Sequence, residues 1–411
     1  GLVTFDTELK LIPDIAESWS IDGGVVYTFN LREGVRFHNG NPVTAHDFKW
    51  SIERAANPST ASPVAETYLN DIVGFTSYSE GRASEIDGVK VVDDLTLQIT
   101  INTPIAYFLA KLTYPTAYVL DQQTVESGGR NWWVDNPVGT GPFKVREYRI
   151  GERLVLERNA EFYREPAKVD VVDMNLAGGQ SMAMYDNDEI DITGVGLFDL
   201  DAVLDPGDPR NKDLVVAPPG FDIFYIGFNP TMPPLDDLQF RQALNHAVNK
   251  ELIARDVLSD LVHPAYGILP PDFPGFNPNL EGLRYDVEKA QQLLAQSKYS
   301  GFLSRVEENS PHYESAQRHL AGSGSTNTDN LPRLTLSVPG TGGTIGLDVE
   351  VILQMWRQVL GVEVDIEQVE WATFLEDMNR KKFQAYTSGW EADYPDPQDF
   401  LDILFHSNSS I

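Results

Sequence analysis

The chain has 411 residues, 42% hydrophobic and 22% charged, with 31 Lys and Arg against 61 Asp and Glu, a net charge of −30. That length exceeds what one hydrophobic core sustains, so two or three folded domains are expected. So acidic a surface argues against nucleic acid and anionic lipid as partners, the absence of cysteine removes thiol and iron–sulfur chemistry, and no apolar run approaches the ~20 residues that span a bilayer.

In chain order, Leu9–Trp19 reads as a short strand, a proline-broken turn and a buried aromatic. Tyr27, Phe29 and Leu31 alternate with polar residues, as a half-buried strand requires, and Leu95, Leu97, Ile99 and Ile101 do the same. Between them Thr44, three residues before Asp47, reads as a helix N-cap, followed by Phe48, Ile52 and Ala55 at helical spacing. The sharp turn Gly139–Phe143 leads into a hairpin, Phe143–Tyr148 with Arg153–Arg158. Met184–Ile192 reads as a short helix entering a strand, and Phe221–Asn229 as a buried strand. Asp236 or Asp237 caps a helix carrying Phe240, Leu244, Ala247 and Val248, and Asp286 opens another with Ala290, Leu293 and Leu294. Pro264, Pro270, Pro271 and Pro274 mark a long irregular loop, and the polar stretch 300–332 reads as a flexible insertion. The last third alternates strand and helix: Leu334–Val338, a helix with Ile352, Trp356, Val359 and Leu360, then Val362–Ile366, a helix with Phe374, Leu375 and Met378, and Phe383–Trp390. Such an order implies a mixed, largely parallel sheet covered by helices, so the fold class is α/β.

Few segments suggest chemistry. Pro339–Gly346 lies between a strand and a helix, where a phosphate loop would be, but it lacks Gly-Lys-Ser/Thr and the GxGxxG spacing, so a plain turn is the better reading. The seven histidines show no metal spacing. Asp186, Asp188, Glu189 and Asp191 do not fit a calcium loop, because Asp191 and Leu197 stand where Gly and Glu are needed. No GxSxG occurs, and 61 acids single out no catalytic pair. We therefore expect no catalytic residues, no metal and no cofactor. Gly389–Pro397 differs. A strand ends there and Trp390, Asp393, Tyr394 and Asp396 follow at once, at the carboxyl end where open α/β sheets bind ligands. Trp390 offers a flat wall, Tyr394 a further one, and Asp393 an acceptor for an ammonium or hydroxyl group. Asp396 or Asp399 reads more simply as the cap of the next helix.

Several ordered segments resemble the family 5 extracellular solute-binding proteins, the dipeptide-, oligopeptide- and nickel-binding components of ABC importers. They are Pro13–Trp19, Tyr27–Gly40 (YTFNLREGVRFHNG), Thr44–Phe48, Pro137–Phe143 (PVGTGPF), Asn229–Asn249, and Trp390–Phe400. The resemblance implies a periplasmic-binding-protein-like fold of type II: lobe I at 1–19 and 136–225, a β-rich inserted subdomain at 20–135, and lobe II at 226–411. It implies reversible capture of a small organic solute, peptide-like foremost, in a cleft between the lobes and delivery to a membrane permease. No catalysis is implied. In peptide-binding members, the Asp matching Asp393 holds the ligand's amino terminus and the Trp matching Trp390 lines the pocket. Some oligopeptide binders carry an Arg where Thr387 stands here. The resemblance also implies that lobe I lacks its N-terminal strand and the C-terminal return of the chain, that lobe II is truncated at its C-terminal end, and that the protein is a monomer in the periplasm or at the cell surface, lipid-anchored through a preceding segment. The alternatives are an oligosaccharide-binding member, a sensor that hands its ligand to a signalling partner, and a hydrolase with paired carboxylates.

Overall fold

The computed structural model describes all residues except 219, 324–330, 341, 343–344 and 408–411. The described residues divide into two compact units: residues 1–195 with 393–396 and 407, and residues 196–392 with 397–406.

The first unit is built from antiparallel strands. β1 (Val3–Phe5) pairs with β2 (Leu11–Pro13). β3 (Ala16–Asp22), β4 (Val26–Leu31), β5 (Val89–Asp93) and β6 (Thr96–Thr100) form a sheet of order β3-β4-β6-β5. The alternation read from the sequence is the core face of this sheet: Tyr27 lies opposite Ile99 and Phe29 opposite Leu97, and all four are buried. The helix Ala45–Ala56 buries Phe48, Ile52 and Ala56. Its start is held as expected, since the Thr44 N–H and hydroxyl both donate to the Asp47 carboxylate at 2.8 Å. The expected hairpin is present as β7 (Phe143–Arg149) and β8 (Arg153–Arg158), joined by β9 (Val171–Asn175) in a three-stranded sheet.

His38 explains two of the sequence motifs at once. The Gly139 N–H donates to its Nδ1 at 3.2 Å, and its Nε2 lies 3.0 Å from the Gly141 carbonyl. The His38 N–H also donates to the Gly139 carbonyl at 2.8 Å. An imidazole that accepts at Nδ1 and donates at Nε2 is neutral. Burial holds the His38 pKa below its ordinary value, with the Lys144 charge acting in the same direction and the Gly141 bond opposing it. A pKa depressed in the folded state means the unfolded chain takes up the proton first. The stabilisation is complete above the unfolded value of about 6.5 and is lost progressively as pH falls from there through the lower folded pKa. The thermal midpoint is thus expected to fall between pH 7 and pH 5, and His38→Gln to flatten that fall. His312, lowered by burial, supplies a remainder. Lowered carboxylates such as Asp236, held by Tyr299 and Lys298, lose their support only at lower pH. An unchanged slope in the variant, measured by calorimetry across this window, would count against the role.

The second unit contains one mixed sheet. β10 (Asp222–Phe228), β11 (Leu334–Pro339), β12 (Val364–Val369) and β13 (Ala385–Glu391) are ordered β10-β13-β11-β12. β11 is parallel to both β12 and β13, and β10 is antiparallel to β13. The helix Leu347–Leu360 connects β11 to β12, and Trp371–Asn379 connects β12 to β13. The fold is therefore the expected mixed α/β arrangement. The helices Leu238–His246 and Val287–Gln296 are capped by Asp237 and Asp286, whose carboxylates accept backbone N–H bonds at 2.8–3.2 Å and 2.9 Å. Trp356 is 2% exposed among Leu244, Leu294, Val359 and Leu336, and its indole donates to the Leu244 carbonyl at 2.8 Å.

Three local expectations differ from the structure. The 300–332 stretch is not a loop throughout: Ser300–Arg305 is a 3-10 helix and Tyr313–Gly322 an α-helix. Phe302, Leu303, Val306 and Ala316 join the core, and these few apolar positions suffice because neighbouring helices cover them; residues 324–330 lie outside the described residues. Ser181–Asp186 is helical, but no strand follows, and Ile192 is 88% exposed in a run of acidic residues. β10 is an edge strand rather than a fully buried one, with Phe224 76% exposed.

Candidate functional site

The strongest sequence candidates sit where β13 ends. Ala392 continues the pairing by donating its N–H to the Phe221 carbonyl at 2.8 Å. Residues 393–396 then leave the second unit and group with the first, and the chain returns at Pro397 to begin the helix Gln398–Phe405. Trp390 and Asp393 are thus supported by different parts of the fold.

Trp390 lies opposite Ile223 on the edge pair β10–β13. Its indole Nε1 donates to the Asp399 carboxylate at 3.2 Å. Asp399 is fully buried in the first turn of the following helix. It does not cap that helix: the N-cap is Pro397, with no side-chain capping bond. The carboxylate instead fixes the rotation of the tryptophan ring. Next to it, Phe400 packs edge-on against Phe273 at 5.0 Å, and Phe273 against Phe221 at 5.1 Å, which anchors the helix start. At Gly389 the backbone runs close to its neighbour, since a Cβ there would meet the Phe224 ring at 3.1 Å.

Asp393 is half-buried within the first unit. Its Oδ2 accepts a hydrogen bond from the Tyr68 hydroxyl. Tyr68 is 1% exposed and stacks on Tyr114, the ring centroids 3.6 Å apart and the planes within 5°. Tyr394, 2% exposed, stacks with Tyr107 at 6.3 Å. Tyr394 is therefore packed into the protein behind the segment. Sequence reasoning singled out Trp390, Asp393 and Tyr394 as candidates but gave no notice that Tyr68, Tyr107 and Asp399 contact them or that Tyr114 stacks on Tyr68. Local spacing carried no signal for the tyrosines, and the Asp399 signal was read as a cap.

Other candidates carry less. The glycine-rich segment after β11 is tied to β12: the Gly340 N–H donates to the Val369 carbonyl and the Gly342 N–H to Gln368 Oε1 at 2.7 Å; residues 341, 343 and 344 lie outside the described residues. Amides spent in this way do not cradle a phosphate. Among the described residues no three His, Asp or Glu side chains are grouped as a metal site. No helix among them is long and apolar enough to cross a membrane.

Just after the carboxyl end of β13 the Trp390 indole and the Asp393 carboxylate are each oriented by a hydrogen bond, and the mixed α/β fold that carries them is that of a class of proteins that bind solutes. The family model for bacterial extracellular solute-binding proteins, family 5, matches residues 10–410, and the chain belongs to that family. It is 30% identical to the periplasmic oligopeptide-binding protein OppA of Escherichia coli, over 100% of this chain and 72% of that protein. It is 28% identical to the dipeptide-binding protein DppE of Bacillus subtilis, over 100% of this chain and 72% of that one. Among solved structures, an oligopeptide-binding protein of Borrelia burgdorferi superposes with a TM-score of 0.81 at 28% identity, covering 100% of this chain and 77% of that one. The murein tripeptide-binding protein MppA of Escherichia coli gives 0.79 at 26% identity, covering 99% and 76%. These likenesses agree with the periplasmic-binding-protein-like fold.

Proposed function

We propose that this chain is the extracytoplasmic capture component of an ABC importer, binding a peptide-like solute reversibly, without altering it, and passing it to a membrane permease. The observation that carries the reading is the Asp393 carboxylate, held by the buried Tyr68 hydroxyl three residues after a tryptophan whose ring is itself fixed by Asp399. A carboxylate so held is a fit partner for the ammonium group of a peptide, and an indole for its apolar side chains. The relatives named for oligopeptides, dipeptides and murein peptides support the same solute class. Trp390 forms the wall of the site, Asp393 receives the amino terminus, and Tyr394 backs the segment from within. The two lobes and the β-rich inserted subdomain, a single copy acting alone, and a lipid anchor on a preceding segment belong to the same proposal.

The test is direct. Mass spectrometry of the purified protein is expected to find short peptides, and titration calorimetry with a peptide panel to give saturable binding with the peptide recovered intact. Retention of oligosaccharides alone, or hydrolysis of the bound peptide, would overturn the reading.

A further inference from the structure

Asp393 reaches its position through a segment more than three hundred residues earlier in the chain. Tyr68 lies in the short helix Ala65–Leu69, and Tyr114 follows the helical turn Phe108–Lys111. These two segments are joined by an ion pair that lies largely inside the protein: Lys111, 2% exposed, holds Asp71 at 2.5 Å. A cation so deeply placed remains only when paired, so the pair fixes the spacing of the two segments firmly. Tyr27 against Phe108, at 4.8 Å, ties the same turn to β4. The result is a rigid base on which the Tyr68 ring lies flat against Tyr114 and presents its hydroxyl to Asp393.

We infer that Tyr68 is a positioning residue for ligand recognition, acting through Asp393: its hydroxyl orients the carboxylate toward a cationic ligand group, and the Tyr114 stack keeps it there. The inference rests on Asp393 being the partner of the ligand's ammonium group. A phenol suits this work because it donates one directional hydrogen bond and adds no charge, so it orders the carboxylate without competing as a counter-ion for a cation. A lysine or arginine in its place would order Asp393 equally well but would offset the charge that the ligand needs. Preorganisation of this sort removes the cost of ordering the carboxylate when the ligand arrives, and gains affinity without touching the ligand.

The experiment presents an equimolar pool of random tripeptides and their N-acetylated counterparts to the protein and reads the retained fraction of each by mass spectrometry. The wild type is expected to enrich the free amines. Tyr68→Phe, which keeps the ring stack, is expected to reduce that preference about tenfold, the weight of one hydrogen bond to a charged group. In an Asp393→Asn background the same change should have no further effect, because the two act as one unit. Tyr114→Leu, which removes the supporting ring but leaves the hydroxyl, should lower the preference in the same direction. Equal loss of free and acetylated peptides in Tyr68→Phe would make Tyr68 a scaffold residue only and overturn the inference, as would an unchanged preference. A wild type that shows no preference at all would instead remove the role of Asp393, and this inference with it.

Discussion

Asp393→Asn is expected to weaken binding of a peptide with a free amino terminus by about 2–4 kcal/mol, roughly 30- to 1000-fold, and to leave an N-acetylated peptide nearly unaffected. The substitution preserves shape and still offers Tyr68 an oxygen to donate to, so the change isolates the charge. A half-buried carboxylate facing an ammonium group is screened less than an exposed pair, and loss of one partner leaves the other desolvated without compensation. Calorimetric titration with matched free and acetylated peptides checks this. Equal affinities in the wild type and variant for the free peptide would remove Asp393 from the site.

Trp356→Ala is expected to destabilise the second unit by about 3–5 kcal/mol, lowering the thermal midpoint by about 10 °C for a unit of this size. Trp356 is 2% exposed in the core shared by the helices Leu238–His246, Val287–Gln296 and Leu347–Leu360. Its ring sits 6.2 Å from that of Phe228 on β10. Removing the indole opens a large void and also orphans the Leu244 carbonyl, one of the last-turn acceptors of its helix that have no partner within the helix. Trp356→Phe should cost less, because it keeps most of the volume and loses mainly the hydrogen bond. A fall of under 2 °C in the alanine variant, followed by circular dichroism, would contradict the packing argument.

The sequence reading succeeded wherever structure depends on near neighbours. Alternation placed the core faces of β4 and β6, because side chains on a strand change sides at each residue. Thr44 with Asp47, Asp237 and Asp286 marked helix starts, because a cap is a bond between residues two or three apart. It failed at Tyr313–Gly322, where polar residues surround one buried alanine and the helix rests on neighbouring helices rather than on its own pattern. It failed again at Asp399. An aspartate in a first helical turn after two prolines reads as a cap, yet it is wholly buried against an indole nine residues back.

The sequence by itself determined the α/β class and the family resemblance and singled out Trp390 and Asp393 as candidates, because ordered local motifs are written along the chain. Only the tertiary structure decided how that pair is held. The Tyr68 hydroxyl meets Asp393 across 325 positions, and a contact of that span depends on how β-strands, a buried ion pair and stacked rings bring two segments together. No periodicity encodes it. Tyr394 illustrates the same limit: it read as a further part of the wall offered by Trp390, and the fold stacks it against Tyr107, inside the protein.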